Sequence, residues 1–186
     1  MQPSRLALSL AGLLLAVSPL AAANAAPAGA TWADFAIGTN FDVKVEHVTQ
    51  LTFPPGRKPT TDTGLEHWTL VRKDGQSAVF AVVVGDKKLE NTLPLALDPP
   101  PDEGNMASAP DDHRKTGVTH ETIETPLGKL DCILITRQHS MNEADGRELE
   151  WRAADYPCPV KTTSKWSHKE QEDTETRTVI RFERGM

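Results

Sequence analysis

The dipeptide Asp74-Gly75 stands between two runs in which apolar residues recur at every second position. Trp68 and Leu70 share one face of the first run, and four apolar residues share a face of the second: Ala78, Phe80, Val82 and Val84. Asp-Gly between such runs predicts a tight β-hairpin, because both turn residues must accept unusual backbone angles. A chain containing this hairpin has to bury one face of an antiparallel sheet.

The same two-residue period recurs along the chain. Phe41, Val43 and Val45 alternate with charged residues, which predicts a half-buried strand. Further strands are predicted at 66–73, 76–84, 118–124, 129–137, 148–154, 160–167 and 176–183. Before them, Thr31 can cap a single helical turn ending near Gly38. The predicted fold class is therefore mainly β: an antiparallel meander after a short N-terminal helical turn.

The N-terminal segment has the three parts of a secretory signal. Arg5 supplies the positive charge, residues 6–17 are almost entirely apolar, and Ala23-Asn24-Ala25 offers small residues for cleavage. The alternative is a membrane anchor, but this apolar run is short for about 30 Å of hydrocarbon. We expect a signal peptide at 1–25 and a periplasmic or secreted protein.

Residues 26–186 are predicted to form a single β-rich domain, since about 100–200 residues is an ordinary domain length. Residues 97–117 are rich in Pro, Asp and Gly, which predicts a long flexible loop, either a mobile connector or an active-site lid. The whole chain has a net charge of -6. Loss of Arg5 with the signal peptide would make it more acidic, so nucleic acid is not an expected partner.

The two cysteines, Cys132 and Cys158, both lie in the expected mature chain. An even number of cysteines in an exported protein favours a disulfide, here closing the open end of a hairpin formed by 129–137 and 148–154. The alternatives are two free buried thiols or one reactive thiol.

Motifs for catalysis are weak. Six histidines have neither H-x-x-x-H spacing nor a C-x-x-C partner, and no nucleophile elbow or nucleotide-binding loop occurs in the sequence. His47, His67, His120 and His139 could still converge with carboxylates in the fold. We therefore expect no catalytic residues, no metal site and no cofactor, and we keep a hydrolase or metalloenzyme built on dispersed histidines and carboxylates as the alternative.

Two segments resemble motifs of exported bacterial proteins of unknown function. Residues 125–132, Thr-Pro-Leu-Gly-Lys-Leu-Asp-Cys, are similar to a T-P-x-G-x-F-x-C turn and strand, with Leu130 in place of the aromatic residue. Residues 151–161 resemble a W-Y-A-x-x-x-P-x-x-V-K segment, with Arg152 in place of Tyr. These families are related to the curved, half-barrel-like antiparallel sheet of lipoprotein carriers (LolA-like). The resemblance implies such a sheet, an exported location and a concave face that holds something apolar.

The resulting prediction is an exported, non-enzymatic β protein that binds a lipid or another apolar ligand, or an envelope protein. Four aromatic residues are the candidates for its apolar face: Trp68, Phe80, Trp151 and Trp166. A third possibility is a purely structural interaction protein, which would present an exposed strand edge or apolar patch without a pocket.

Overall fold

A computed structural model of the protein describes residues 29–54, 56–101, 115–141 and 144–186. It begins with a 3₁₀ turn at Trp32–Asp34 and continues with nine strands. The strands are β1 Asn40–Leu51, β2 Thr60–Lys73, β3 Ser77–Val84, β4 Lys87–Pro94, β5 Lys115–Thr125, β6 Gly128–Met141, β7 Ala144–Ala153, β8 Lys161–Ser167 and β9 Gln171–Glu183. The predicted signal peptide and most of the predicted loop at 97–117 lie outside the described residues. No helix in the described ranges is long and apolar enough to cross a membrane.

All nine strands form one antiparallel sheet in the order β4-β3-β2-β1-β9-β8-β7-β6-β5. Two meanders therefore meet at the centre. The first moves outward from β1 to β4, and the second moves inward from β5 to β9, which pairs with β1. The predicted class, a mainly β antiparallel meander with a short N-terminal turn, is confirmed, and the sheet is not closed.

The predicted turns hold the hairpins together. At Asp74-Gly75, the Asp74 carboxylate accepts hydrogen bonds from the backbone N–H groups of Gln76 and Ser77, at 3.0 and 2.7 Å. At the β5–β6 turn, Gly128 has a φ of +111°, a conformation that side chains with a Cβ rarely adopt. Thr31 is the N-cap residue of the helical turn, and the Asp34 carboxylate accepts hydrogen bonds from its backbone N–H and its hydroxyl, both at 2.9 Å.

The main core lies on one face of the sheet, here called the inner face, which carries Phe41, Trp68 and Phe80. It is concentrated where β1 begins and β9 ends. There the N-terminal segment packs over the strands, with Trp32 1% and Phe35 3% exposed. Trp32 stacks on Phe41 and meets Phe80 edge to face. Burial of these rings removes a large apolar area from water, so this short segment is an integral part of the core.

Two connections also cross the inner face. The chain after β4 accepts a 2.7 Å hydrogen bond from Trp32 N at the Leu95 carbonyl, and the Asp98 carbonyl accepts one from the Arg152 guanidinium of β7. Residues 154–160, after β7, bring Cys158 into the main core. These segments cover one end of the inner face and leave a gap between themselves and the strands.

Candidate functional site

A cavity of about 150 Å³ lies in that gap and is partly open to solvent. Side chains from five strands and from the connection after β7 line it: Phe41, Val43, Trp68, Leu93, Cys158, Pro159, Thr162, Arg177 and Val179. Most of this lining is apolar. Because β4 and β8 contribute to the same cavity although four strands lie between them, the sheet curves around its inner face.

One wall of the cavity is aromatic. Strand register places Phe41 of β1 directly opposite Trp68 of β2, and the two rings stack at 5.5 Å between centroids. Phe80 supports Trp68 from β3 in an edge-to-face contact. These rings are buried and fixed by cross-strand packing, so they present a preformed apolar surface.

An ion pair between Glu66 and Arg177 forms the polar boundary of the cavity. Glu66 lies on the same face as Trp68 and accepts hydrogen bonds from the Trp68 indole N–H, at 2.8 Å, and from the Arg177 guanidinium. The Glu66 side chain is only 14% exposed. The carboxylate and the guanidinium neutralise each other, so the cavity carries an apolar interior beside a charge-balanced rim.

Cys158 contributes a neutral sulfur to the lining. Burial raises the pKa of its thiol to about 12, which keeps it protonated at neutral pH. Burial, reinforced by Asp131 and Glu121, also raises the pKa of Cys132. Neither thiol therefore has the lowered pKa of a nucleophilic cysteine.

The predicted disulfide between Cys132 and Cys158 is wrong, since both cysteines are free. They lie near the same end of the sheet, as expected, but in separate clusters. Cys132 pairs with Ala153 across β6 and β7 and packs with Trp151, whereas residues 154–160 carry Cys158 into the core around Phe41. The predicted hairpin correctly placed both cysteines at the same end of the sheet. It could not predict that the chain leaves the sheet after β7 and carries Cys158 into a different cluster.

Beside the cavity, Glu150 is 9% exposed and is held by two arginines. Arg152 Nε donates to its carboxylate at 2.6 Å, and Arg137 donates at 2.7 Å. Although burial opposes ionisation, these hydrogen bonds lower the pKa of Glu150 below its usual value. Because Arg152 also binds the Asp98 carbonyl, the cluster anchors the connection that crosses the inner face.

The four predicted apolar-face residues do not form one surface. Trp68 and Phe80 belong to the cavity wall and the core behind it. Trp166 shares their face but stacks on His139, at 6.0 Å between ring centroids, near the opposite end of the sheet. Trp151 points to the other face, here called the outer face, where Lys161 lies 4.9 Å above its ring.

Three histidines, His47, His67 and His139, are paired with acids at separate positions. His47 lies 3.6 Å from Asp173, and His139 lies 3.6 Å from Glu148. Across the described ranges no group of three or more His, Cys, Asp or Glu side chains is arranged to hold a metal ion. The Asp111-Asp112-His113 stretch is outside those ranges.

His67 contacts a neighbouring side chain through each of its two ring nitrogens. Its Nδ1 donates to the Asp42 carboxylate at 2.5 Å, and its Nε2 lies 3.4 Å from the Thr69 hydroxyl. All three side chains are on the outer face, where β1 and β2 pair, so this alignment is separate from the cavity.

Sequence reasoning missed the residues that make the cavity polar at one side and closed at another: Glu66, Arg177, Leu93, Cys158 and Val179. A signal for Glu66 was available, because the two-residue period places it on the same face as Trp68. Arg177 required knowledge that β9 pairs with β1, which is a contact between distant parts of the chain.

No protein-family model, curated protein or solved structure matches this chain.

Proposed function

We propose that the protein is an exported, non-enzymatic binding protein that holds an apolar group on the inner face of its sheet. The observation that carries this proposal is the partly open cavity lined by Phe41, Val43, Trp68 and Leu93. The signal-like pattern at residues 1–25 supports export. A lipid or another apolar ligand remains the expected class of partner.

The cavity volume limits what can enter. A dry apolar cavity of about 150 Å³ in another protein is large enough for benzene. The occupant is therefore a single small ring or the end of an acyl chain, with any remaining part of a larger ligand outside. Stacked aromatic walls favour a flat ring, and the charge-balanced Glu66–Arg177 pair gives no reason to require a charged ligand.

Binding can be tested with benzene on protein purified after export. We expect benzene to change the fluorescence of Trp68 and to raise the unfolding temperature, because a ligand that binds only the folded state stabilises it. Leu93→Phe places a larger ring at the cavity and should abolish both effects. Leu65→Phe makes the same change at a residue that is 53% exposed and absent from the lining, so it should bind benzene normally.

Two results would reject the binding proposal. The first is no saturable effect of benzene on the wild-type protein. The second is equal binding by the wild-type and Leu93→Phe proteins. If neither result is obtained, native mass spectrometry of the exported protein should identify a natural occupant by a mass difference that Leu93→Phe removes.

A second candidate function, hydrolysis, is favoured by the Asp42–His67–Thr69 alignment. Asp42 accepts from Nδ1 of His67, and this contact directs Nε2 towards the Thr69 hydroxyl, the group from which a general base would take a proton. The order of hydroxyl, imidazole and carboxylate along these contacts supports roles for Thr69 as nucleophile, His67 as base and Asp42 as orienting acid. The exposed outer face would give access to an ester without a deep pocket.

This second candidate predicts hydrolysis of p-nitrophenyl acetate that depends on these residues. His67→Gln and Thr69→Val should each lower the rate by about tenfold or more, since general acid–base catalysis contributes about 10²–10⁴-fold. His47→Gln is the matched control, because His47 is similarly exposed and also faces an acid. Equal rates for the three variants would reject a hydrolytic role.

A further inference from the structure

The strand β4 forms one edge of the sheet. One backbone edge of β4 pairs with β3 along the whole strand, from Lys87 opposite Val84 to Pro94 opposite Ser77. Along the described residues, no strand pairs with its other side. A free strand edge presents unpaired backbone N–H and C=O groups, which another strand can bind.

The middle of β4 has a symmetric pattern around Leu89. Leu89 is 56% exposed on the inner-face side, opposite Val82. Lys88 and Glu90 flank it and point to the other side, where both are exposed. Within the described part of the chain, neither of these two charges has an ion-pair partner.

This pattern is complementary to itself in the register centred on Leu89. When two β4 strands run antiparallel with a two-fold axis at Leu89, the two leucines face each other and Lys88 of each copy faces Glu90 of the other. A two-fold axis at Lys88 or at Glu90 would instead oppose like charges. Cross-strand pairs of opposite charge and of apolar residues stabilise a sheet, and directly opposed like charges destabilise it.

We propose that two copies of this chain pair edge to edge through β4, with Leu89 at the two-fold axis. The partner is a second copy because the charge order Lys88-Leu89-Glu90 is complementary to itself in that register. Pairing joins the two sheets into one and places two inner faces side by side. The contact is short, so the dimer is a weak and concentration-dependent one.

The test is sedimentation equilibrium of the exported protein over a broad range of concentration. We expect the wild-type protein to shift from the mass of one chain to the mass of two. Lys88→Glu places glutamates opposite each other at both symmetric positions and should weaken the dimer by about tenfold or more. The double variant Lys88→Glu with Glu90→Lys restores both opposite-charge pairs and should restore dimerisation.

Lys58→Glu is the control, because Lys58 is exposed and lies outside all strands while the charge change is identical. It should dimerise like the wild-type protein. The proposal is overturned by a wild-type protein that stays monomeric, by a Lys88→Glu protein that dimerises normally, or by a double variant that does not recover. Circular dichroism of each variant verifies that the sheet is intact.

Discussion

Trp32 and Phe80 meet edge to face with their ring centroids 4.7 Å apart. Along the chain, 47 residues that include the β1–β2 hairpin lie between them. Trp32 is 1% exposed and Phe80 is fully buried. The short segment before β1 therefore completes the core that the first meander begins.

Trp32→Ala should lower the free energy of unfolding by about 3–5 kcal/mol, because it leaves a large cavity among aromatic rings. Chemical denaturation followed by circular dichroism measures this change. Ile37→Ala lies in the same segment but removes a side chain that is 58% exposed, so it should change stability by less than about 0.5 kcal/mol. Similar effects of the two variants would contradict the packing of Trp32 in the core.

Acid sensitivity should depend on Glu150. Arg152 and Arg137 hold the pKa of this carboxyl below its usual value against the effect of burial, so the folded state favours the ionised form. The resulting stabilisation is present at neutral pH and is lost as the pH falls through the acid range towards the folded-state pKa. Glu150→Gln should cost about 1–3 kcal/mol at about pH 7 and much less at about pH 3.

Denaturation curves of the wild-type and Glu150→Gln proteins at both pH values measure this dependence. Glu46→Gln is the control, because the Glu46 side chain is 42% exposed, against 12% for Glu150, and its ion pair in the described part of the chain is with Lys44 at 3.2 Å. Its effect should be small at both pH values. A Glu150→Gln effect that is the same at neutral and acid pH would contradict a role for the ionised carboxylate.

Thiol reactivity should distinguish free buried cysteines from a disulfide. Burial raises the pKa of Cys158 to about 12 and also raises that of Cys132. The native protein should therefore react slowly with 5,5′-dithiobis(2-nitrobenzoate) at about pH 8, since the thiolate is the reactive form. In guanidinium chloride without reductant, both thiols should react rapidly. Failure to release any thiol in guanidinium chloride would show that the two sulfurs are oxidised.

Gly146 is required beneath Trp166. A Cβ atom at position 146 would lie 2.5 Å from Cζ3 of the Trp166 ring, far inside the normal contact distance. Gly146→Ala should displace the ring from His139 and lower stability by about 1–3 kcal/mol. Gly117→Ala is the control, because a Cβ there meets nothing within 4 Å. Denaturation and tryptophan fluorescence should change for the first variant and remain close to wild type for the second.

The period-two pattern predicted most of the sheet, because each strand with one buried face has a strong sequence signal. Phe41, Val43 and the Trp68–Leu70 run identify β1 and β2 in this way. The predicted strands were too short where the side chains on both faces of a strand are polar. Thus β1 extends to Leu51, beyond the predicted alternation, and β9 begins at Gln171, before it.

Strand β4 was missed for the same physical reason. Its sequence, Lys-Lys-Leu-Glu-Asn-Thr-Leu-Pro, is almost entirely exposed and has no repeated apolar face. Backbone pairing with β3 holds it in the sheet, together with Leu93, which packs partly buried against the main core. An edge strand of this kind gives little signal in local sequence.

The cavity was predicted only in part. Trp68 and Phe80 were identified because they belong to the strongest hairpin signal, but Trp151 faces the other side and Trp166 lies elsewhere. Cys158 and Arg177 reach the cavity through the connection after β7 and through the pairing of β9 with β1. These are long-range relationships, and the two-residue period contains no information about them.

Intermolecular nuclear Overhauser effects can show whether the inner-face cavity accepts an apolar group. In methyl-labelled protein with benzene, we expect contacts between benzene protons and the methyl groups of Val43 and Val179, two residues that line the cavity. The same contacts should disappear in Leu93→Phe. Contacts to the exposed methyl groups of Leu65 and Leu89 alone, with none to Val43 or Val179, would show that benzene does not enter the cavity.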